Sequence, residues 1–242
     1  YPETFQLIEE KMQKAVFPGA VLSFVENEET EVQVMGNAQV EPTIISMQED
    51  YLFDVASLTK VVCTTTVMLK LKEAGKVTWD QSLHSLLPEF QNETITLRHL
   101  LTHTSDIQTY IPNRDQLNAE ELRTAYLSLQ PGEDLGKVVK YTDAGTILLG
   151  FLLEKLYQKD VIDVFRQEVL QPLSMSNSHF LLQPPYDKVV PTEKLVDGTI
   201  LKGLTHDPKA RVLAEHAGNA GLFSNMKDLS KFAKMYLNLG VV

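Results

Sequence analysis

Phe53-Asp54-Val55-Ala56-Ser57-Leu58-Thr59-Lys60, running on into Val61, Val62 and Cys63, is the stretch from which the rest of this chain is read. It reads as an apolar strand end, a turn, and a helix opening at or just before Ser57. Residues three apart on a helix lie on one face. Ser57 and Lys60 then stand one turn apart, hydroxyl beside amine. A serine hydroxyl is a poor nucleophile until a base takes its proton, and a lysine whose charged form is disfavoured by burial can be that base. The helix N-terminus adds backbone N–H groups and the positive end of a dipole, which favour an oxyanion forming at Ser57.

Spacing alone does not decide the matter, because Ser224-Asn225-Met226-Lys227 repeats S-x-x-K in the same chain. A serine before an apolar run is most often a helix cap, and a helical lysine is most often a solvated charge. Context separates the two sites. Ser57 follows the strand-like Tyr51-Leu52-Phe53 and precedes a long helix rich in Val, Thr, Met and Leu, so buried surroundings are expected. Ser224 precedes an ordinary amphipathic helix, where the capping reading is preferred.

Outward from that stretch, Phe5, Ile8, Met12 and Val16 recur at helical spacing ahead of Pro18-Gly19. Ala20 to Val25 reads as a strand, Asn27-Glu28-Glu29 as a turn, and Val32 and Val34 alternate with polar residues in a second strand, making a hairpin. The Ser57 helix is expected to run to Gly75. From Val77 to about Leu173 nearly all signals are helical. Thr96 caps one helix, and Asn118 caps another that Pro131-Gly132 ends. Ala144 to Tyr157 is a buried helix, and Asp160 caps a helix through Leu170. Ser174 to Ala217 reads as irregular, and Leu229, Phe232, Ala233, Tyr236 and Leu237 mark a last amphipathic helix. The fold class is α+β, with a mostly helical region inserted into an α/β frame. The expected organisation is an α/β lobe from 1–76 carrying the nucleophile helix, a helical lobe over 77–173, and a return to the α/β lobe over 174–242.

With 242 residues, 43% hydrophobic and 22% charged, the chain has the composition of a soluble globular protein. Its net charge of −10 disfavours nucleic acid and offers no basic patch for an anionic membrane. A single cysteine, Cys63, rules out an internal disulfide and reads as a buried small apolar residue rather than a nucleophile. No apolar run approaches the ~20 residues of a membrane span. No leader is apparent, and the start at Tyr1 rather than Met is compatible with processing.

Other residues offer chemistry that competes with plainer structural roles. Tyr141-Thr142-Asp143 sits between an extended Lys137-to-Lys140 stretch and the buried helix, where a tyrosine can reach into a cleft and exchange a proton with a lysine; taken alone, a packed aromatic is the simpler reading. His99 and His103 have the spacing of a zinc pair, but position 100 is Leu, so the H-E-x-x-H base is absent and further ligands are not evident. His206-Asp207 and Glu215-His216 suggest a Ser–His–Asp set, yet no G-x-S-x-G elbow accompanies them. There is no P-loop and no dinucleotide fingerprint, so neither metal nor cofactor is implied.

Val55-Ala56-Ser57-Leu58-Thr59-Lys60, Leu100-Leu101-Thr102-His103-Thr104-Ser105, Tyr141-Thr142-Asp143 and Ala220-Gly221-Leu222-Phe223-Ser224 stand in an order and spacing that resembles the serine β-lactamase and penicillin-binding-protein-like family. The family includes class C β-lactamases, D-alanyl-D-alanine carboxypeptidases and esterases. His206-Asp207-Pro208-Lys209-Ala210 and Ala217-Gly218-Asn219-Ala220-Gly221 are similar in particular to its esterase branch. The resemblance implies a sheet flanked by helices with a helical lobe. Ser57 would be the acylated nucleophile, Lys60 its base, Tyr141 a proton-transfer partner, and the Ser57 backbone N–H an oxyanion donor. The implied reaction is hydrolysis of an amide or ester in a small-molecule or peptide substrate. A catalytically silent binding module, or an incomplete fragment of the enzyme, is the alternative.

Departures from the pattern sharpen the expectations. The second motif usually ends in Asn, whose amide touches the lysine and substrate; here Asp143 stands there, a carboxylate that holds a neighbouring lysine charged unless it is protonated or turned away. Leu173-Ser174-Met175 has Ser where Gly is commoner. The K-T-G or H-T-G strand is absent, and with it the C-terminal strands of the sheet. The hairpin is therefore expected to lack a partner in this chain, so a missing C-terminal segment or a second chain would complete the sheet.

Overall fold

The computed structural model describes residues 1–26 and 29–241. In chain order it begins with α1 (Pro2–Gln13), β1 (Gly19–Glu26), β2 (Glu29–Gln39), β3 (Ile45–Ser46) and β4 (Phe53–Asp54). A π-helical segment, Lys60–Thr65, leads into α2 (Thr66–Glu73), then α3 (Leu83–Leu86), α4 (Leu97–Leu101), α5 (Ala119–Leu127) and α6 (Ala144–Tyr157). α7 (Val161–Phe165) continues as the π-helical Arg166–Leu170. The chain then forms β5 (Glu193–Lys194), β6 (Ile200–Leu201), α8 (Pro208–Val212), β7 (Phe223–Ser224) and α9 (Met226–Leu237). The architecture is α+β, as the periodicities indicate. Residues 27 and 28 of the expected hairpin turn lie outside the described residues.

The chain divides into two compact units. One comprises residues 1–54, 173–204 and 223–242. Its β1 and β2 pair antiparallel, with Val21 opposite Val34 and Ser23 opposite Val32. The pair is not left two-stranded, contrary to the expectation of an unpartnered hairpin: β2 also pairs with β3, and α9 packs against β1. α1 is seated by Phe5, whose ring meets Phe24 edge-on at 5.6 Å. β4 pairs with β7, Phe53 opposite Ser224. The apolar centre of this unit includes Met47, Met175, Phe180 and Phe223.

The other unit comprises 55–172 and 205–222. Its centre is α6, in which Ala144 through Leu153 are all buried. Each fully buried leucine there contributes roughly 1.5–3 kcal/mol of transfer free energy, which makes α6 the natural anchor for segments that must be held precisely. Segment 217–222 is one of them. A Cβ on Gly218 would stand 2.0 Å from the Thr146 carbonyl oxygen of α6, so only glycine allows this approach. The Thr64 hydroxyl donates to the Gly218 carbonyl at 2.7 Å, and the Leu222 N–H donates to the Thr59 hydroxyl at 3.2 Å. The same loop is thereby tied to the helix of Ser57.

Several local expectations hold and several need correction. Thr96 and Asn118 cap their helices in reciprocal boxes with His99 and Glu121. Asp160 caps α7 through the Ile162 N–H. α8, however, lies within the stretch read as irregular; Pro208 at its first turn and the Asp207 cap were its signals. The cap of α9 is Asn225, not Ser224, because Ser224 is still in β7. Residues 137–140 form no strand, and the Lys137 N–H closes a turn onto the Asp134 carbonyl. α4 ends at Leu101, and His103 has φ 56°, so His99 and His103 do not share a helix face.

Candidate active site

The site is assembled from four stretches of the second unit. Ala56 has φ 47°, a conformation that costs a non-glycine residue about 1 kcal/mol or more. This kink turns the chain sharply, so that Ser57 is exposed while Lys60, one turn on, is buried. Lys60 Nζ donates to Ser57 Oγ at 2.8 Å, as the S-x-x-K spacing predicts. Tyr141, 84 residues away, brings its hydroxyl to the same oxygen at 2.8 Å. Ser57 Oγ therefore accepts from an amine and a phenol at equal distance.

Tyr141 is 63% exposed, so its position is set by the backbone around it rather than by burial. Asp106 supplies the first clasp: it accepts from Lys140 Nζ at 2.6 Å and from the Asp134 N–H at 2.9 Å. Its carboxyl is held below the usual carboxylate range by the Lys140 hydrogen bond and the Asp134 N–H. His103 supplies the second. Its carbonyl accepts from the Lys140 N–H at 2.8 Å, its Nδ1 accepts from the Thr142 N–H at 3.4 Å, and its ring lies 4.7 Å from that of Tyr141. Accepting that bond requires a neutral imidazole. Burial, followed by the charge on Lys60, lowers the pKa of His103 accordingly.

Lys60 is 4% exposed and meets three acceptors for its three protons: Ser57 Oγ, the Asn219 carbonyl at 3.3 Å, and Asp143 Oδ1 at 2.6 Å. Asp143 is neither turned away nor neutral. Burial acts to raise its carboxyl pKa, but hydrogen bonds from Lys60 and Lys209, with their charges, more than offset this and hold it low. Lys209 Nζ lies 3.0 Å from Asp143 Oδ2 and 2.8 Å from Asp207 Oδ2. Lys209 and Asn219 stand in motifs that the sequence singles out by resemblance, but their contacts with Asp143 and Lys60 are not legible there. A carboxylate in the place of an amide calls for a second cation, and that was the signal for Lys209. The Asn219 side-chain amide is itself buried, with no hydrogen-bond partner among the described residues.

The other candidates fall apart spatially. His99 Nδ1 accepts from the Thr96 N–H, within its helix cap. His216 Nε2 lies 3.1 Å from Asp160, and Asp207 caps α8 through the Ala210 N–H. Cys63 is fully buried, and burial pushes its thiol pKa up, away from reactivity. Among the described residues no group of three His, Cys, Asp or Glu side chains gathers to hold a metal, and no helix is long and apolar enough to cross a membrane.

A sequence model of the beta-lactamase family matches residues 5–241. The chain belongs to the beta-lactamase family. Among curated members it is 29% identical over 229 residues to the N-acetylmuramyl-L-alanine amidase of Bacillus subtilis (strain 168), a match covering 80% of this chain and 52% of that protein. It is 23% identical over 189 residues to the beta-lactamase of Providencia stuartii, covering 77% of this chain and 48% of that one. The crystal structure of a class C beta lactamase superposes with a TM-score of 0.80 at 23% identity, over 98% of this chain and 64% of the other. The likeness in structure carries the fold: this is the β-lactamase and penicillin-binding-protein-like architecture. The chain spans about half the length of these curated relatives.

Proposed function

We propose that this beta-lactamase family chain carries the acylation site of a serine hydrolase acting on an amide or ester. The reading rests on one observation: Ser57 Oγ stands 2.8 Å from both Lys60 Nζ and Tyr141 Oη. With Lys60 neutral, the Ser57 proton passes to its amine as Oγ attacks the carbonyl carbon, forming a C–O bond and an oxyanion. The Ser57 N–H at the head of the helix is the expected oxyanion donor. Collapse expels an alcohol or amine, which takes a proton from Tyr141 or Lys60, and leaves an ester on Ser57. Water, deprotonated by the same base, then releases the acid and restores the serine.

Within the family, this site suits a carboxylesterase, a D-alanyl-D-alanine carboxypeptidase or a β-lactamase. A second oxyanion donor, supplied by a further segment or a second chain, is part of the same proposal. A silent binding module is favoured by one observation, the ionised Asp143 at 2.6 Å from Lys60, which stabilises the protonated amine. Intact mass after incubation with a fluorophosphonate and, separately, a penicillin decides between them. One adduct mapped to Ser57 is the expected result, and labelling by penicillin assigns the substrate to the cell-wall class. Reversible binding with no adduct from either reagent overturns the hydrolase reading in favour of the binding module.

A further inference from the structure

Four charges alternate in a chain across the site: Lys60, Asp143, Lys209 and Asp207. The spacings are 2.6 Å from Lys60 to Asp143, 3.0 Å from Asp143 to Lys209 and 2.8 Å from Lys209 to Asp207. The first two members sit where the hydrolytic reading puts the base and its neighbour. Lys209 comes from α8, the short helix that Pro208 and the Asp207 cap begin. It is 17% exposed, as is Asp207, and Asp143 is 25% exposed, so water screens these contacts poorly.

A base that must be neutral to act is ill served by a lone carboxylate at hydrogen-bond distance. With Lys209 present, the three neighbours of Lys60 in this chain carry one net negative charge; without it they carry two. Lys209 also occupies Asp143 Oδ2, so only Oδ1 is left to hold Lys60. We propose that Lys209, gripped by Asp207, is a positioning residue for the general base: it takes up part of the Asp143 charge so that Lys60 can give up its proton. The inference rests on Lys60 being the base of the proposed acyl transfer.

Other groups face this chain. Ser57 and Tyr141 close its outer end. His103, from the turn after α4, is lowered by burial and by the Lys60 charge. Tyr126 of α5 is raised by burial and by Asp207 and Asp143, with Arg114 opposing. Burial acts to lower Lys209 itself, but its two carboxylate partners more than offset that and raise it.

The test is the pH dependence of fluorophosphonate acylation in the full chain, with Lys60 followed independently by the ¹³C signal of its ε-carbon. Lys209→Met is expected to move the acid limb, and the Lys60 midpoint, up by about one pH unit, the lower end of what a close charge does. Below the limb that is about a tenfold loss in rate. Lys209→Arg keeps the charge and is expected to keep the limb in place. Asp143→Asn in the Lys209→Met background is expected to bring the limb back down. Asp207→Asn preserves a good helix cap while freeing Lys209 for Asp143, and is expected to move the limb down, opposite to Lys209→Met. A purely structural role for Lys209 lowers the rate at all pH values without moving the limb. A midpoint unmoved in both Lys209→Met and Asp207→Asn overturns the proposal. Absence of any Ser57 adduct in the parent protein instead overturns the hydrolytic reading, while the ε-carbon titration still reports on Lys209 alone.

Discussion

Ser57-Lys60 and Ser224-Lys227 share a spacing and nothing else. At the first, an exposed hydroxyl meets a buried ammonium and a phenol, and the lysine reaches acceptors at residues 57, 143 and 219. At the second, the serine is fully buried on β7, its hydroxyl 2.8 Å from that of Ser178, which in turn donates to Asp228 at 3.0 Å. Lys227 points to solvent. The geometric reason is plain. Three residues along a helix bring two side chains onto one face, whereas Ser224 to Lys227 crosses from strand to helix at the Asn225 cap and separates them. The chemical reason is that at the first site remote segments bring a phenol to the serine and a carboxylate to the lysine, whereas the remote group at Ser224 is another serine hydroxyl. A short motif names the two groups; their partners decide whether the pair is a catalytic device or an accident.

The comparison breaks most readily at the two serines. Ser57→Ala is expected to abolish covalent labelling, a fall of about 10⁶-fold on the scale of serine-nucleophile deletions, while Ser224→Ala labels as the parent does. Adduct mapping by mass reads both, and persistent labelling of Ser57→Ala at another residue would refute the assignment. The lysines give a smaller contrast. Lys60→Met is expected to slow acylation by roughly 10²–10⁴-fold, the range for a positioned base; Lys227→Met is expected to leave the rate unchanged.

The contrast reverses when stability is measured. Ser224→Ala removes one partner from a buried network and leaves Ser178 to Asp228 alone, so a loss of about 1 kcal/mol is expected in chemical denaturation. Ser57→Ala, at an exposed position, is expected to lose less than that. A Ser224 variant as stable as the parent would say that the buried network is dispensable.

The smallest effect concerns the clasp that delivers Tyr141, which has no counterpart at Ser224. The carboxyl of Asp106 is depressed in the folded state, so its contribution is fully present above the ordinary carboxylate range of about 4 and is lost as pH falls below it. Asp106→Asn is expected to be less stable at neutral pH and to lose less further stability on acidification. Parallel acid-unfolding curves for the two proteins would place the stabilisation elsewhere.

Much of this protein was legible in its residues alone. Helical periodicity and capping residues located α5, α6, α7 and α9, the strand reading of Ala20 to Val25 located β1, alternation at Val32 and Val34 located β2, and the S-x-x-K spacing put Lys60 within a hydrogen bond of Ser57. These are short-range consequences of backbone geometry, which sequence expresses directly. The resemblance to a known family brought in Tyr141, which no local signal could distinguish from a packed aromatic. Tertiary structure alone decided the rest. It folded α8 out of a stretch read as irregular, took His103 off the helix face, and paired β2 with β3. It also set Lys209 against a carboxylate 66 positions away in the sequence, counted from Asp143 to Lys209. The contact of the Asn219 carbonyl with Lys60 is equally long-range, made next to a glycine, Gly218, that lets the chain touch α6. A charge on a side chain is visible in the sequence, but the charge it answers is chosen only when the chain closes on itself.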